Sequence, residues 1–89
     1  MARFELPSLD MAQIVGSVPT AQSYFELGLQ HSTGRAGGID LVEAHKWFNI
    51  AAAKGCREAI QMRGEVAGEM SSAEIAEAQR AARAFLALH

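Results

Sequence analysis

Between residues 20 and 89 the sequence is cut by three short stretches that each stop one helix and start another. Thr33-Gly34-Arg35-Ala36-Gly37-Gly38 concentrates glycine in a way that favours a loop with left-handed backbone positions. Gly55 stands alone between two apolar-periodic segments, where a helix C′ residue belongs. Ser71-Ser72-Ala73-Glu74 reads as a capping box, with Ser71 capping and Glu74 reaching back. No alternating apolar run bounded by turns competes with this pattern, and no Asn-Gly or Asp-Gly hairpin occurs. The expected fold class is therefore all-α, with four helices arranged as two stacked antiparallel pairs.

The apolar spacing gives each helix a face. The first is predicted over Thr20 to Ser32, with Thr20 as N-cap after Pro19. Its face holds Tyr24, Leu27, Gly28 and His31, bordered by Phe25 and Leu29. The second runs from the N-cap Asp40 to Gly55 and presents Leu41, Ala44, Phe48, Ala51 and Ala52, with Trp47 beside them. Lys54 falls in its last turn, where a cation complements the helix dipole. The third, Arg57 to Met70, has a weaker stripe of Ala59, Ile60, Met62, Val66, Ala67 and Met70. Gly64 and Gly68 lower its propensity by about 1 kcal/mol each relative to alanine, and a helical glycine marks a close approach by a neighbour. The fourth, from Ser71 to the end, turns Ile75, Ala78, Ala82, Phe85, Leu86 and Leu88 inward. Glu77 and Arg80 are placed to pair on its outer side, for roughly 0.2–0.5 kcal/mol.

Composition narrows the function classes. A chain of 89 residues is one domain with a marginal core, and much of its 49% hydrophobic content is alanine, which buries little area. Net charge is −2 and the basic residues are scattered, so the clustered basic face that nucleic-acid binding requires is missing. A basic amphipathic helix of the membrane-surface kind is missing as well, and no apolar run approaches the ~20 residues of a membrane span. Cys56, a single cysteine, has no internal disulfide partner, which suits a reducing compartment. Glu5, Pro7 and Asp10 interrupt the roughly 7–15 apolar residues of a secretory signal, so the expected location is the cytoplasm. Residues 1–19 read as an irregular leader, bracketed by Pro7 and Pro19, with a short helix expected around 9–15. Phe4, Leu6, Leu9, Met11, Ile14 and Val15 make it too apolar for a free tail, so it is expected against the helices or another molecule.

The segment Ala21-Gln22-Ser23-Tyr24-Phe25-Glu26-Leu27-Gly28 resembles the opening of a Sel1-like repeat, a relative of the tetratricopeptide class. The resemblance continues through Gly34, Asp40, Ala44, Lys46-Trp47-Phe48, Ala51-Ala52 and Gly55. It makes residues 20–55 one full unit. Residues 56–89 look like a degenerate capping unit, in which Ser23 and Gly28 recur at a common offset as Ala59 and Gly64, while Arg63 replaces the usual leucine. His31 stands where the family has tyrosine, and Ala36 where the loop often has a second glycine. The physical expectations agree: Gly28 and Ala44 let paired helices approach, Trp47 and Phe48 fill the space between pairs, and Ala51 and Ala52 let the next helix stack. Trp47→Ala is expected to cost about 3–5 kcal/mol.

The resemblance implies a non-catalytic bacterial adaptor or scaffold that binds another protein or a second copy of itself, with no cofactor. Ser23, Glu26 and Gln30, on the first helix off the core stripe, are the candidate partner-binding residues. A second reading is a small regulatory or accessory subunit of a larger enzyme or complex. A thiol- or metal-dependent enzyme would have to use His31, His45 and Cys56, yet His-x-x-x-His and paired cysteines are both missing. The bland assignments are His31 as packing or loop support, His45 as surface or partly buried, and Cys56 as a small structural thiol. Glu65 and Glu69 share a face that reads as solvated, and Gly34 to Gly38 lacks the Lys-Ser/Thr of a phosphate loop.

Overall fold

The computed structural model describes residues 19–35 and 37–89. The expected helix around 9–15 and the rest of the leader before Pro19 lie outside the described residues. Within them the chain is all-α, with four helices: α1 (Ala21–Thr33), α2 (Leu41–Ala53), α3 (Arg57–Ala67) and α4 (Ser72–Leu88).

Each helix begins where a side chain can satisfy its free N–H groups, except α3. Thr20 caps α1: its hydroxyl accepts from the Ser23 N–H at 3.2 Å, while the Ser23 hydroxyl accepts from the Thr20 N–H at 3.0 Å. Asp40 Oδ1 accepts from the Glu43 N–H at 3.1 Å and caps α2. At α4 the box closes in both directions, Glu74 N–H to Ser71 Oγ at 3.1 Å and Ser71 N–H to Glu74 Oε1 at 2.8 Å. Cys56 precedes α3 without a side-chain cap.

The helix ends are as specific. α1 stops at Gly34 in the left-handed conformation, and the Asp40 N–H donates to the His31 carbonyl at 2.9 Å, tying the loop shut. α2 ends in a Schellman motif. Gly55, at φ 110, donates to the Ala52 carbonyl at 3.1 Å, and Cys56 donates to the Ala51 carbonyl at 2.9 Å. The thiol of Cys56 is half-buried against the core, which gives this residue a packing role. α3 ends three residues before the predicted Met70, because the chain leaves the helix at Gly68 and tightens into a turn before the Ser71 cap.

The contacts that hold the bundle run through α2, which packs against α1, α3 and α4 alike. Successive positions of α2 look different ways. Phe48 meets α1, Asn49 meets Arg63 of α3 at 2.7 Å, and Trp47 and Lys54 meet α4. A helix used on this many sides has to be apolar nearly all round, and Ala44, His45, Phe48, Ile50 and Ala51 are all buried. The outer helices bury less: Ala59 and Val66 on α3, Ala78 and Ala82 on α4.

Gly28 fulfils the expected close approach. A Cβ built there would stand 2.5 Å from the Phe48 ring, so only glycine admits that ring. Gly64 does not fulfil it: nothing lies within 4 Å of where its Cβ would be, because it sits on the exposed side of α3. Glu77 and Arg80 are both exposed and form no ion pair at the one-turn spacing that allows one.

Candidate functional site

The three candidate partner-binding residues of α1 have separate fates. Ser23 is half-buried and its hydroxyl is taken up in the Thr20 capping box. Glu26 is exposed, accepts from Gln22 Nε2 at 3.3 Å, and lies 4.0 Å from the Arg35 guanidinium. Gln30 is half-buried. One polar group of the three, Glu26, is thus freely presented. Such exposed contacts contribute about 0–1 kcal/mol and leave its carboxylate available.

The α1–α2–α4 junction carries an aromatic cluster. Tyr24 and Trp47 stack with their planes 4° apart at a centroid distance of 5.8 Å. Phe85 stands edge-on to both, at 5.6 Å from Tyr24 and 5.3 Å from Trp47, and His89 stacks on Phe85 at 4.2 Å. Trp47 is half-buried; its indole N–H donates to Glu43 Oε1 at 3.0 Å, and Lys46 Nζ lies 4.3 Å over its ring. Lys46 also pairs with Glu43 at 3.5 Å. Phe48 is fully buried against Gly28 and Phe25, so it, and not Trp47, fills the inter-helix space completely.

His45 departs from the sequence reading. It is 3% exposed, where the expectation was a surface or partly buried position, and the charge of Arg63 on α3 reaches it. Its Nδ1 is buried without a hydrogen-bond partner. Burial, reinforced by the positive charge of Arg63, holds its pKa below the ordinary histidine value. Sequence reasoning missed this site. The signal was available in two parts, a histidine adjoining the apolar Ala44 and an arginine at an apolar position of α3, but only the packing of α3 joins them. His31 is half-buried and supports the loop through its backbone carbonyl. Among the described residues no group of three or more His, Cys, Asp or Glu gathers at metal-binding distance.

One open cleft of about 200 Å³ lies between the α1–α2 loop and α3. Ser32, Ile39, Leu41, Met62 and Val66 line it, with Glu65 and Glu69 at the rim. Both glutamates are exposed, as expected, but Glu69 lies past the end of α3, in the turn after Gly68, so the two do not share a helix face. The volume is below the ~300–1,000 Å³ of ordinary small-molecule sites and suits a single protruding group. Among the described residues no helix is long and apolar enough to cross a membrane. Comparison with known proteins gives no match, whether to a family model, a curated protein or a solved structure.

Proposed function

We propose that this chain is a non-catalytic protein-interaction module, an adaptor or scaffold of the Sel1-like helical-repeat type. The observation that supports it most is the uneven burial of the bundle. One helix, α2, is enclosed by the other three, while the α1–α2 loop, α3 and α4 leave large apolar side chains in solvent: Ile39 at 67% exposure, Ile60 at 53% and Leu88 at 83%. Scattered exposed apolar residues are ordinary. Here one of the three, Ile39, stands at the lip of the open cleft between the α1–α2 loop and α3. A repeat unit that cannot cover its own apolar face is completed by a neighbour, either another repeat or another protein. The occupant of that face is then the functional partner, and cytoplasmic residence fits a lone half-buried cysteine.

The test is capture followed by reconstitution. The full chain is cross-linked in its own cells, the bound proteins are identified, and each is purified and remixed with the chain for light scattering. The expected result is a stoichiometric complex well above the 9.5 kDa of the free chain. A chain that stays at 9.5 kDa with every candidate, and does not associate with itself, contradicts the proposal.

A further inference from the structure

We propose that the cleft between the α1–α2 loop and α3 docks a protein segment that presents a large apolar side chain flanked by Lys or Arg. This rests on the reading of the chain as an interaction module and assigns it a site and a partner chemistry. The lining of the cleft is part apolar, from Leu41 at the start of α2 and Met62 and Val66 of α3, and part polar, from Ser32 and the two glutamates. Ile39 forms its lip and is two-thirds exposed. Met62 is unbranched and polarizable, so it can reshape around an incoming group. The size of the cleft admits one anchor side chain and excludes most small-molecule ligands.

The rim sets the charge. Glu65 of α3 and Glu69 of the turn that follows it both line the opening beside Met62 and Val66, and both are exposed. Two carboxylates at one opening repel each other. Among the described residues the ion pairs are Arg35–Glu26 and Lys46–Glu43, and neither involves the rim. A cation on either side of the anchor relieves the repulsion between the glutamates, whereas an acidic segment adds to it. Two copies of a chain with net charge −2 repel at long range, which favours a basic foreign segment over a second copy.

The experiment is a nuclear magnetic resonance titration of the isotopically labelled full chain with two capped peptides. One is Gly-Lys-Leu-Phe-Lys-Gly, and the other carries glutamate in place of both lysines. The lysine peptide is expected to shift the amides of Ile39, Leu41, Met62 and Val66 with a saturable curve, and the glutamate peptide to leave them in place. E65Q/E69Q should weaken the lysine peptide by about tenfold. E77Q, which removes an exposed carboxylate away from the cleft, should leave it unchanged. Both variants replace exposed carboxylates, and circular dichroism checks that they remain folded. Equal binding of the glutamate peptide, indifference to E65Q/E69Q, or no shift at the cleft overturns the assignment. So do nuclear Overhauser contacts from residues 1–18 to Val66 in the free chain, which would make the occupant the chain itself. Cleft shifts that grow with chain concentration would identify a second copy and also overturn it. Shifts confined to Tyr24, Trp47 and Phe85 overturn the cleft assignment and leave the interaction reading standing, since they place binding at the aromatic cluster.

Discussion

Gly28 and Phe48 are the contact on which the α1–α2 pair turns. The Phe48 ring occupies the volume that any side chain at position 28 would need, and it is fully buried with no room to retreat. Gly28→Ala is therefore expected to destabilise the chain by about 1–3 kcal/mol, despite alanine's better helix propensity. Urea unfolding measures this, and a neutral or stabilising result would show that the two helices are not that close. Phe48→Ala should cost about 3–5 kcal/mol. Trp47→Ala should cost less than Phe48→Ala, because the indole is half-buried and keeps part of its surface in water in the native state. The reverse order would mean that the Tyr24–Trp47–Phe85 cluster, not Phe48, is the centre of the core. His45 gives the chain a pH dependence of known sign. Its folded pKa lies below the unfolded value of about 6.5, so the unfolded chain binds the extra proton first. The stability that goes with neutral His45 is complete above about pH 6.5 and is lost as pH falls toward the folded pKa. In Arg63→Gln the nearby positive charge is gone, so the His45 pKa should rise, as read from its imidazole proton shifts. A pKa that stays put or drops would show that Arg63 does not face it.

At the level of elements, local rules were nearly sufficient. The caps at Thr20, Asp40 and Ser71 are where the residue types place them, and the Gly55 stop is a complete Schellman motif. These are legible because capping is a contact between residues three or four apart. Ser71→Ala removes both the hydroxyl acceptor for the Glu74 N–H and the reason for Glu74 to fold back, so α4 should lose about 1 kcal/mol. Denaturant melts report that loss, and no change would mean that α4 is held by its packing alone. What the sequence hid were contacts between elements. Gly64 resembles Gly28 in the one-dimensional pattern, yet one faces a phenylalanine ring and the other faces open space. His45 and Arg63 are unremarkable on their own helices, and only the packing of α3 on α2 sets the half-buried Arg63 near the buried His45. Cys56 could be read as a reactive thiol, but its backbone N–H closes a helix end and its side chain lies against the core.

At the scale of the whole molecule, the arrangement is a central helix with three outer ones. Alanine explains it. Ala44, Ala51, Ala59, Ala78 and Ala82 are all fully buried, and such small residues let backbones approach without adding much apolar area. A core of this kind leaves the larger apolar groups of the outer elements poorly covered, which is why Ile39 stands in solvent at the lip of an open cleft and Ile60 stands in solvent elsewhere on α3. Four all-α helices were readable from breakers and periodicity; which faces would stay open was not, since openness depends on how far each outer helix reaches around α2. The claim that these open faces exist to bind another protein is tested most directly by position. A photoreactive amino acid is placed singly at Ile39, Glu65, Gln79 and Arg80 of the full chain, all exposed, and irradiated in the chain's own cells. Adducts of one discrete mass from Ile39 and Glu65, with none from Gln79 or Arg80, are the predicted result. Adducts at equal yield from all four positions, or from none, would contradict the account.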